Sequence, residues 1–324
     1  MENFNNFFLI ILFLIIFIKP VKSQDFLSGS ELESFLDKAE EQSEKYSKVF
    51  KNLAAEEIKT KFYYKTNGKL DEKRIIKSLF IVYESPENGY SQEFRSVLEF
   101  NGKDVARDEE DIEKFFSKLL ESKSANKEFE KLFKEGTRYD GRSTSWGMTL
   151  TQERPFKKLL RPFFEFKVLE KIKIEGRDVW VIQYQQIKQT PLIKANPTDE
   201  EQKQRSGGNY YNTIVSDNFQ PTNPLMSGKI WLDAETAQIW RNELKINLHP
   251  EKLSKPIVSI EIFNEYQMSD FDLLLPKKFL VRSFKIEGKN DKTLSITKDV
   301  ETIYEYTKFK EFKTGVKNYE IKDK

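Results

Sequence analysis

Apolar and polar residues alternate with a period of two through much of this chain, and the alternating runs are joined by tight-turn signals. That pattern commits the chain to antiparallel strands, because a two-residue turn returns the backbone beside itself. Ile58, Thr60, Phe62 and Tyr64 alternate with Lys59, Lys61 and Tyr63, ahead of Asn67-Gly68, a pair that tolerates positive φ. Residues 75–84 return as a strand apolar on both faces, which places it centrally. Residues 94–100, Asn101-Gly102 and the run to Ala106 form a second hairpin. Residues 164–174 and 179–187 flank Glu175-Gly176, with Trp180, Ile182 and Tyr184 on one face. Residues 229–232 and 238–248 flank the turn 233–236, and residues 279–287 pair with 294–309 across 288–291.

Between the strands the period changes to that of a helix. Ser30 and Glu33 make an S-x-x-E capping box that opens an amphipathic helix over 30–53, with Leu32, Phe35, Leu36, Ala39, Tyr46, Val49, Phe50 and Leu53 at three-to-four spacing. A second helical segment spans 108–135 through Ile112, Phe115, Phe116, Leu119 and Leu120, and Gly136 stops it. Arg154-Pro155 begins a short helix or turn that Pro162 ends. Residues 188–228 have little periodicity and read as one long loop, either a lid or a surface insertion. The order is helix, strands, helix, strands, with ten or eleven strands and no βαβ unit. The expected class is α+β, an antiparallel sheet with helices on one face.

Residues 7–18 read FFLIILFLIIFI, twelve apolar residues that are too few to span a bilayer. They match the apolar region of a signal peptide, with Val21-Lys22-Ser23 as the cleavage signal before Gln24. The flank before them carries Glu2 and no Lys or Arg, so an uncleaved anchor is the alternative. The expected organisation is a signal peptide at 1–23 and a single domain at 24–324. The expected location is the periplasm or the exterior, with peripheral or transient membrane contact at most. An outer-membrane barrel fits poorly, because Arg241, Glu243 and Lys245 share one strand face and the amphipathic helices have no place in it.

Composition closes off much chemistry. The chain has no Cys and one His, His249, so disulfides, Cys nucleophiles, multi-His metal sites and most triads are excluded. No motif asks for a cofactor or a metal. A net charge of +2 lacks the concentrated basic surface that nucleic acid requires. The 27 Phe and 13 Tyr supply enough apolar surface for a core despite 33% charged residues. His249 reads as a loop residue, and the acids at 108–111 as complements to a helix dipole.

Gly228-Lys229-Ile230-Trp231-Leu232-Asp233-Ala234-Glu235-Thr236-Ala237-Gln238-Ile239-Trp240-Arg241 forms a strand, a D-x-x-T turn and a second strand. Phe271-Asp272-Leu273-Leu274-Leu275-Pro276-Lys277-Lys278-Phe279 follows as an apolar strand entry. Together these resemble the LolA-like superfamily of periplasmic lipoprotein carriers. The resemblance implies an unclosed antiparallel half-barrel with helices covering its concave face, and a lipid, acyl chain or lipoprotein as ligand. Asp233 and Thr236 themselves read as a structural turn.

The expected function is therefore a non-enzymatic, exported envelope protein that binds such a ligand in an apolar half-barrel cavity. Phe62, Phe80, Phe100, Phe115, Phe116, Trp180, Phe263 and Phe284 are the residues expected to line it, or to fill the core. Tyr210 and Tyr211, after Gly207-Gly208, are expected in a lid or a flexible linker. The alternatives are an envelope interaction or scaffold protein with a filled core and, behind it, a carboxylate-based hydrolase.

Overall fold

The structure is a computed structural model. It describes residues 26–50, 53–84, 91–105, 134–141, 155–190, 193–196, 198, 200, 211–213, 222–251, 253–288 and 290–311. One helix opens it, α1 (Gly29–Phe50), followed by β1 (Leu53–Tyr64), β2 (Leu70–Glu84), β3 (Ser91–Phe100) and β4 (Lys103–Asp104). After a 3-10 turn at Arg161–Phe163 come β5 (Phe164–Ile174), β6 (Arg177–Gln186), β7 (Ile193–Ala195) and β8 (Tyr211–Thr213). The rest is β9 (Thr222–Asp233), β10 (Ile239–Pro250), β11 (Ile257–Met268), β12 (Leu274–Glu287) and β13 (Ser295–Glu311).

Eleven strands form one antiparallel sheet in the order β4-β3-β2-β1-β13-β12-β11-β10-β9-β6-β5. The sheet does not close on itself, in keeping with a half-barrel. Its connections are hairpins, except from β4 to β5, which stand at opposite edges, and from β6 to β9, which are neighbours joined through β7 and β8; β13 pairs with β1 and so brings the last strand back beside the first. β7 and β8 form a separate parallel pair. Residues 188–228 are therefore not one loop: they contain these two strands and the first half of β9. Among the described residues, no helix is long and apolar enough to cross a membrane.

The hairpin turns follow their residue types. Asn101 and Gly102 both take positive φ (50° and 78°), as do Glu175 and Gly176 (49° and 83°), matching the right-handed twist of the flanking strands. Elsewhere the ends shift. The carbonyl of Ser28, two residues before the expected cap, accepts the amide of Glu31 at 3.1 Å and opens α1. The Glu33 carboxylate turns away to Arg161, 3.2 Å distant, so the capping box does not form. Pro162 lies inside the 3-10 turn rather than ending a helix, since its fixed φ suits a first helical position. His249 is in β10, opposite Asn223, and not in a loop.

Leu36, Ala39, Ser43, Tyr46 and Phe50 are the buried positions of α1, spaced three and four apart down one face. They meet a closed circuit of six rings. Tyr46 stacks on Phe50 (4.9 Å between centroids), Phe50 meets Phe80 (6.1 Å), and Phe80 meets Tyr306 edge-on (5.3 Å). Tyr306 meets Phe279 (5.8 Å), Phe279 meets Tyr266 (5.7 Å), and Tyr266 returns to Tyr46 (6.2 Å). Each contact is worth about 0.5–1.5 kcal/mol beyond the area it buries. Beside it, a void of about 10 Å³ lies between Ser43, Tyr46 and Leu274. Of the expected covering helices, α1 is seen on one face of the sheet. The segment 108–135 lies outside the described residues apart from its end, where 134–137 form a helical turn.

The opposite face carries charge in register. Lys245, Glu261, Arg282 and Glu301 stand directly across from one another on β10 to β13. Their ion pairs are 3.2 Å (Lys245–Glu261), 3.7 Å (Arg282–Glu261) and 2.5 Å (Arg282–Glu301). Such a ladder suits water and not lipid, whose contact surface on a barrel is apolar.

Candidate functional site

β1 turns its odd-numbered side chains toward the face that bears α1. Leu53 and Ala55 pack beneath the end of the helix. Glu57, Lys59, Lys61 and Tyr63 continue the same row, each 1% exposed or less. Their cross-strand partners are Tyr306, Tyr304, Thr302 and Val300 of β13. The alternation of β1 is thus as expected, but its buried face is the one with the lysines. Phe62 is on the other face.

Three acids and three bases occupy this corner. Arg95 of β3, 2% exposed, donates Nε to both Glu57 oxygens at 2.7 and 2.9 Å. Its two terminal nitrogens donate to Glu93 Oε2 at 3.2 Å. The guanidinium also lies over the rings of Phe80 (5.1 Å) and Tyr304 (5.4 Å). Burial alone would lower the Arg95 pKa, but Glu57 and Glu93 outweigh it and hold it well above the ordinary value. Burial, reinforced by the Glu57 charge, raises the Tyr306 phenol in turn.

The second half of the cluster centres on Asp140, which residues 134–141 bring onto the sheet. Lys59 Nζ donates to Asp140 Oδ1, and Lys61 Nζ stands 3.9 Å from Oδ2. Tyr63 Oη donates to the Asp140 carbonyl, Arg74 Nη1 donates to the Tyr139 carbonyl at 2.9 Å, and the Tyr139 ring stacks on Phe100 at 4.5 Å. Gly141, at φ 68°, completes the fit: a Cβ there would lie 2.8 Å from the Tyr63 oxygen. Burial drives both lysine pKa values down against the pull of Asp140, that of Lys61 to about 8.

A groove of about 470 Å³ opens at the other end of α1, lined by Leu32, Pro162, Phe164 and Phe166 with Glu33, Lys158 and Arg161. Arg161, 7% exposed, ties the helix to this edge. It donates to Asp37 at 2.5 Å, to Glu33 and Glu40 at 3.2 Å, and through Nε to the Phe156 carbonyl at 2.6 Å. Phe156 is itself wholly buried in the core. β5, which forms one wall, ends the sheet.

The D-x-x-T turn is a structural clasp. Asp233, 1% exposed, accepts the amides of Glu235 (3.1 Å) and Thr236 (2.8 Å), Trp240 Nε1 (3.3 Å), and Arg177 Nε and Nη2 (2.5 and 3.0 Å). Burial would raise its pKa, yet Arg177 and these donors hold it well below the carboxylate range.

The residues expected to line one cavity do not share one face. Phe80, Phe100 and Trp180 lie on the α1 side by register, whereas Phe62, Phe263 and Phe284 lie on the other. Phe80 is in the aromatic circuit and Trp180 is 8% exposed beside Phe26, 6.4 Å away. Phe115, Phe116 and Tyr210 fall outside the described residues, and Tyr211 is in β8. Pattern reading missed Glu57, Lys59, Lys61 and Asp140, because Glu-x-Lys-x-Lys reads as a solvated strand face. It also missed Arg161, whose carboxylate partners are more than one hundred residues away.

No protein-family model matches the chain, and no curated protein matches it. Solved structures do. A DUF1329 family protein from Desulfovibrio piger is similar at 8% identity and a TM-score of 0.35, over 88% of this chain and 94% of that one. A domain from Vibrio parahaemolyticus named for outer membrane lipoprotein sorting is similar at 12% identity and 0.36, over 88% and 94%. The LolA superfamily protein NE2245 from Nitrosomonas europaea is similar at 7% identity and 0.31, over 87% and 93%.

Proposed function

We propose that this chain is a non-enzymatic, exported envelope protein that binds the acyl chain of a lipid or lipoprotein. The observation that carries the reading is the groove at the start of α1. Its volume of about 470 Å³ is that of a small-molecule site. Leu32, Pro162, Phe164 and Phe166 give it an apolar wall, and Glu33, Lys158 and Arg161 a charged rim. An acyl chain would lie on the wall with its polar end at the rim. The ligand is placed here and not beneath α1, because the aromatic circuit already fills that interface. The apolar run at 7–18, the resemblance at 228–241 and 271–279, and the engagement of both Glu57 and Glu93 by Arg95 support an exported carrier over a carboxylate hydrolase.

The test is uptake of a fluorescent fatty acid by the delipidated protein, with Leu32→Arg and Phe166→Arg as groove variants. The reading predicts saturable uptake that both variants reduce about tenfold or more, a loss of about 1.4 kcal/mol. Uptake that neither variant alters would remove the groove, and no uptake at all would remove the acyl ligand. The filled circuit favours a second reading, an envelope interaction protein with a solid core. A stable protein partner captured by a protein that takes up no lipid would favour that one.

A further inference from the structure

We propose that the groove at the start of α1 takes an ethanolamine phospholipid, whose ammonium meets Glu33 and whose phosphate meets Lys158, in preference to a lipid with an anionic head. The inference rests on the acyl reading of that groove and names its ligand. The rim is organised by Arg161, which lines the groove at 7% exposure. Its Nε donates to the Phe156 carbonyl, its Nη1 to Glu33 Oε2 and Asp37 Oδ1, and its Nη2 to Glu40 Oε2. A phosphate or carboxylate entering the groove would therefore either displace one of these acids or add a fourth anion beside three. The acids stand at i, i+4 and i+7 on one side of α1. Glu33, which lines the groove, gives Oε2 to Arg161, and its Oε1 accepts no hydrogen bond among the described residues; the side chain is 62% exposed. Lys158 is 78% exposed, and its Nζ lies 3.8 Å from Asp37 Oδ2, beyond hydrogen-bond reach. Among the charged residues that line the groove and those they pair with, three carboxylates thus face two cations. A fatty-acid carboxylate or a glycerol phospholipid adds to that negative excess. A zwitterion does not, because Glu33 Oε1 accepts from its ammonium while Lys158 Nζ donates to its phosphate.

The experiment is displacement of a bound fluorescent fatty acid from the delipidated protein by three competitors with the same acyl chain, each kept below its micelle concentration: lauroyl lysophosphatidylethanolamine, lauroyl lysophosphatidylglycerol and laurate. In wild type at low salt the ethanolamine lipid should compete about fivefold better than either anion, and added salt should narrow the gap, because the rim charges are exposed. Glu33→Gln, which keeps the shape of the side chain, should level the two phospholipids, and Glu33→Lys should reverse their order. Glu33 is a surface residue outside the core, so both variants keep the fold. If the glycerol lipid or laurate competes as well as the ethanolamine lipid in wild type, or if the preference survives Glu33→Gln, the head-group selection is overturned while the acyl reading stands. If the protein takes up no fluorescent fatty acid, or none of the three competitors displaces it, the acyl reading falls and the head-group selection falls with it.

Discussion

Lys59 and Asp140, eighty-one residues apart, form an ion pair in which both side chains are 1% exposed. With Lys61 beside them, the stability of the native state depends on pH in the alkaline range. The Lys61 pKa falls to about 8 in the folded protein, against about 10.4 unfolded. Between those values the unfolded chain binds more protons than the native one, so stability rises with pH. Above about pH 10 the raised Tyr306 phenol opposes this, because the native state then keeps a proton that the unfolded chain has lost. Urea unfolding should show stability climbing from pH 8 toward pH 10, and Lys61→Met should flatten the climb. A wild type that loses stability steadily over that range would contradict the placement of Lys61.

Arg95 neutralises two buried carboxylates, so its loss should cost far more than a surface charge. Arg95→Met is expected to destabilise by about 3–5 kcal/mol, since Glu57 and Glu93 are left buried without a counter-charge. Adding Glu57→Gln and Glu93→Gln should recover most of that loss. A single variant within about 0.5 kcal/mol of wild type by chemical denaturation would mean that the cluster opens to water.

The Asp233 clasp should account for part of the acid sensitivity. Its folded pKa lies below its unfolded one, so its contribution is complete above about pH 4 and is lost as pH falls through the folded value. Asp233→Asn should cost about 3 kcal/mol at neutral pH and should lose less of its remaining stability than wild type when acidified below pH 4. Parallel stability profiles for the two proteins would contradict this.

Gly228 is where two strands and a ring crowd together. A Cβ there would lie 1.9 Å from the Glu243 carbonyl oxygen and 2.5 Å from the Tyr184 hydroxyl, which donates to that same carbonyl at 2.8 Å. Gly228→Ala should therefore cost about 3 kcal/mol through forced backbone movement. Tyr184→Phe, which removes the hydroxyl that meets the Glu243 carbonyl and Asn242 Oδ1 but leaves the backbone in place, should cost about 1 kcal/mol. Thermal unfolding of the two variants checks the order, and an equal loss in both would refute it.

The strands were legible because period and turn chemistry agree locally. Asn101-Gly102, Glu175-Gly176 and the Asp233–Thr236 turn fix hairpins through their own backbone preferences, and the structure has a hairpin at each. Which face of a strand is buried is not local. In β1 it depends on residues 134–141 supplying Asp140 and on β3 supplying Arg95, so Lys59 and Lys61 are drawn inside while Ile58 stays 40% exposed. The helix start moved for the same reason: Glu33 goes to Arg161, a partner that no spacing in the first fifty residues could show. Phe62, Phe263 and Phe284 look alike to Phe80 and Trp180 as apolar residues in strands. Only the cross-strand register separates the two faces.

The acyl-binding account is tested most directly by native mass spectrometry of the mature protein, purified gently from its own envelope and followed by organic extraction. The account predicts a bound lipid or fatty acid near one per chain, lost from Phe166→Arg. An apo mass in wild type, together with no uptake of added fatty acid, would contradict it and leave the solid-core interaction protein in its place.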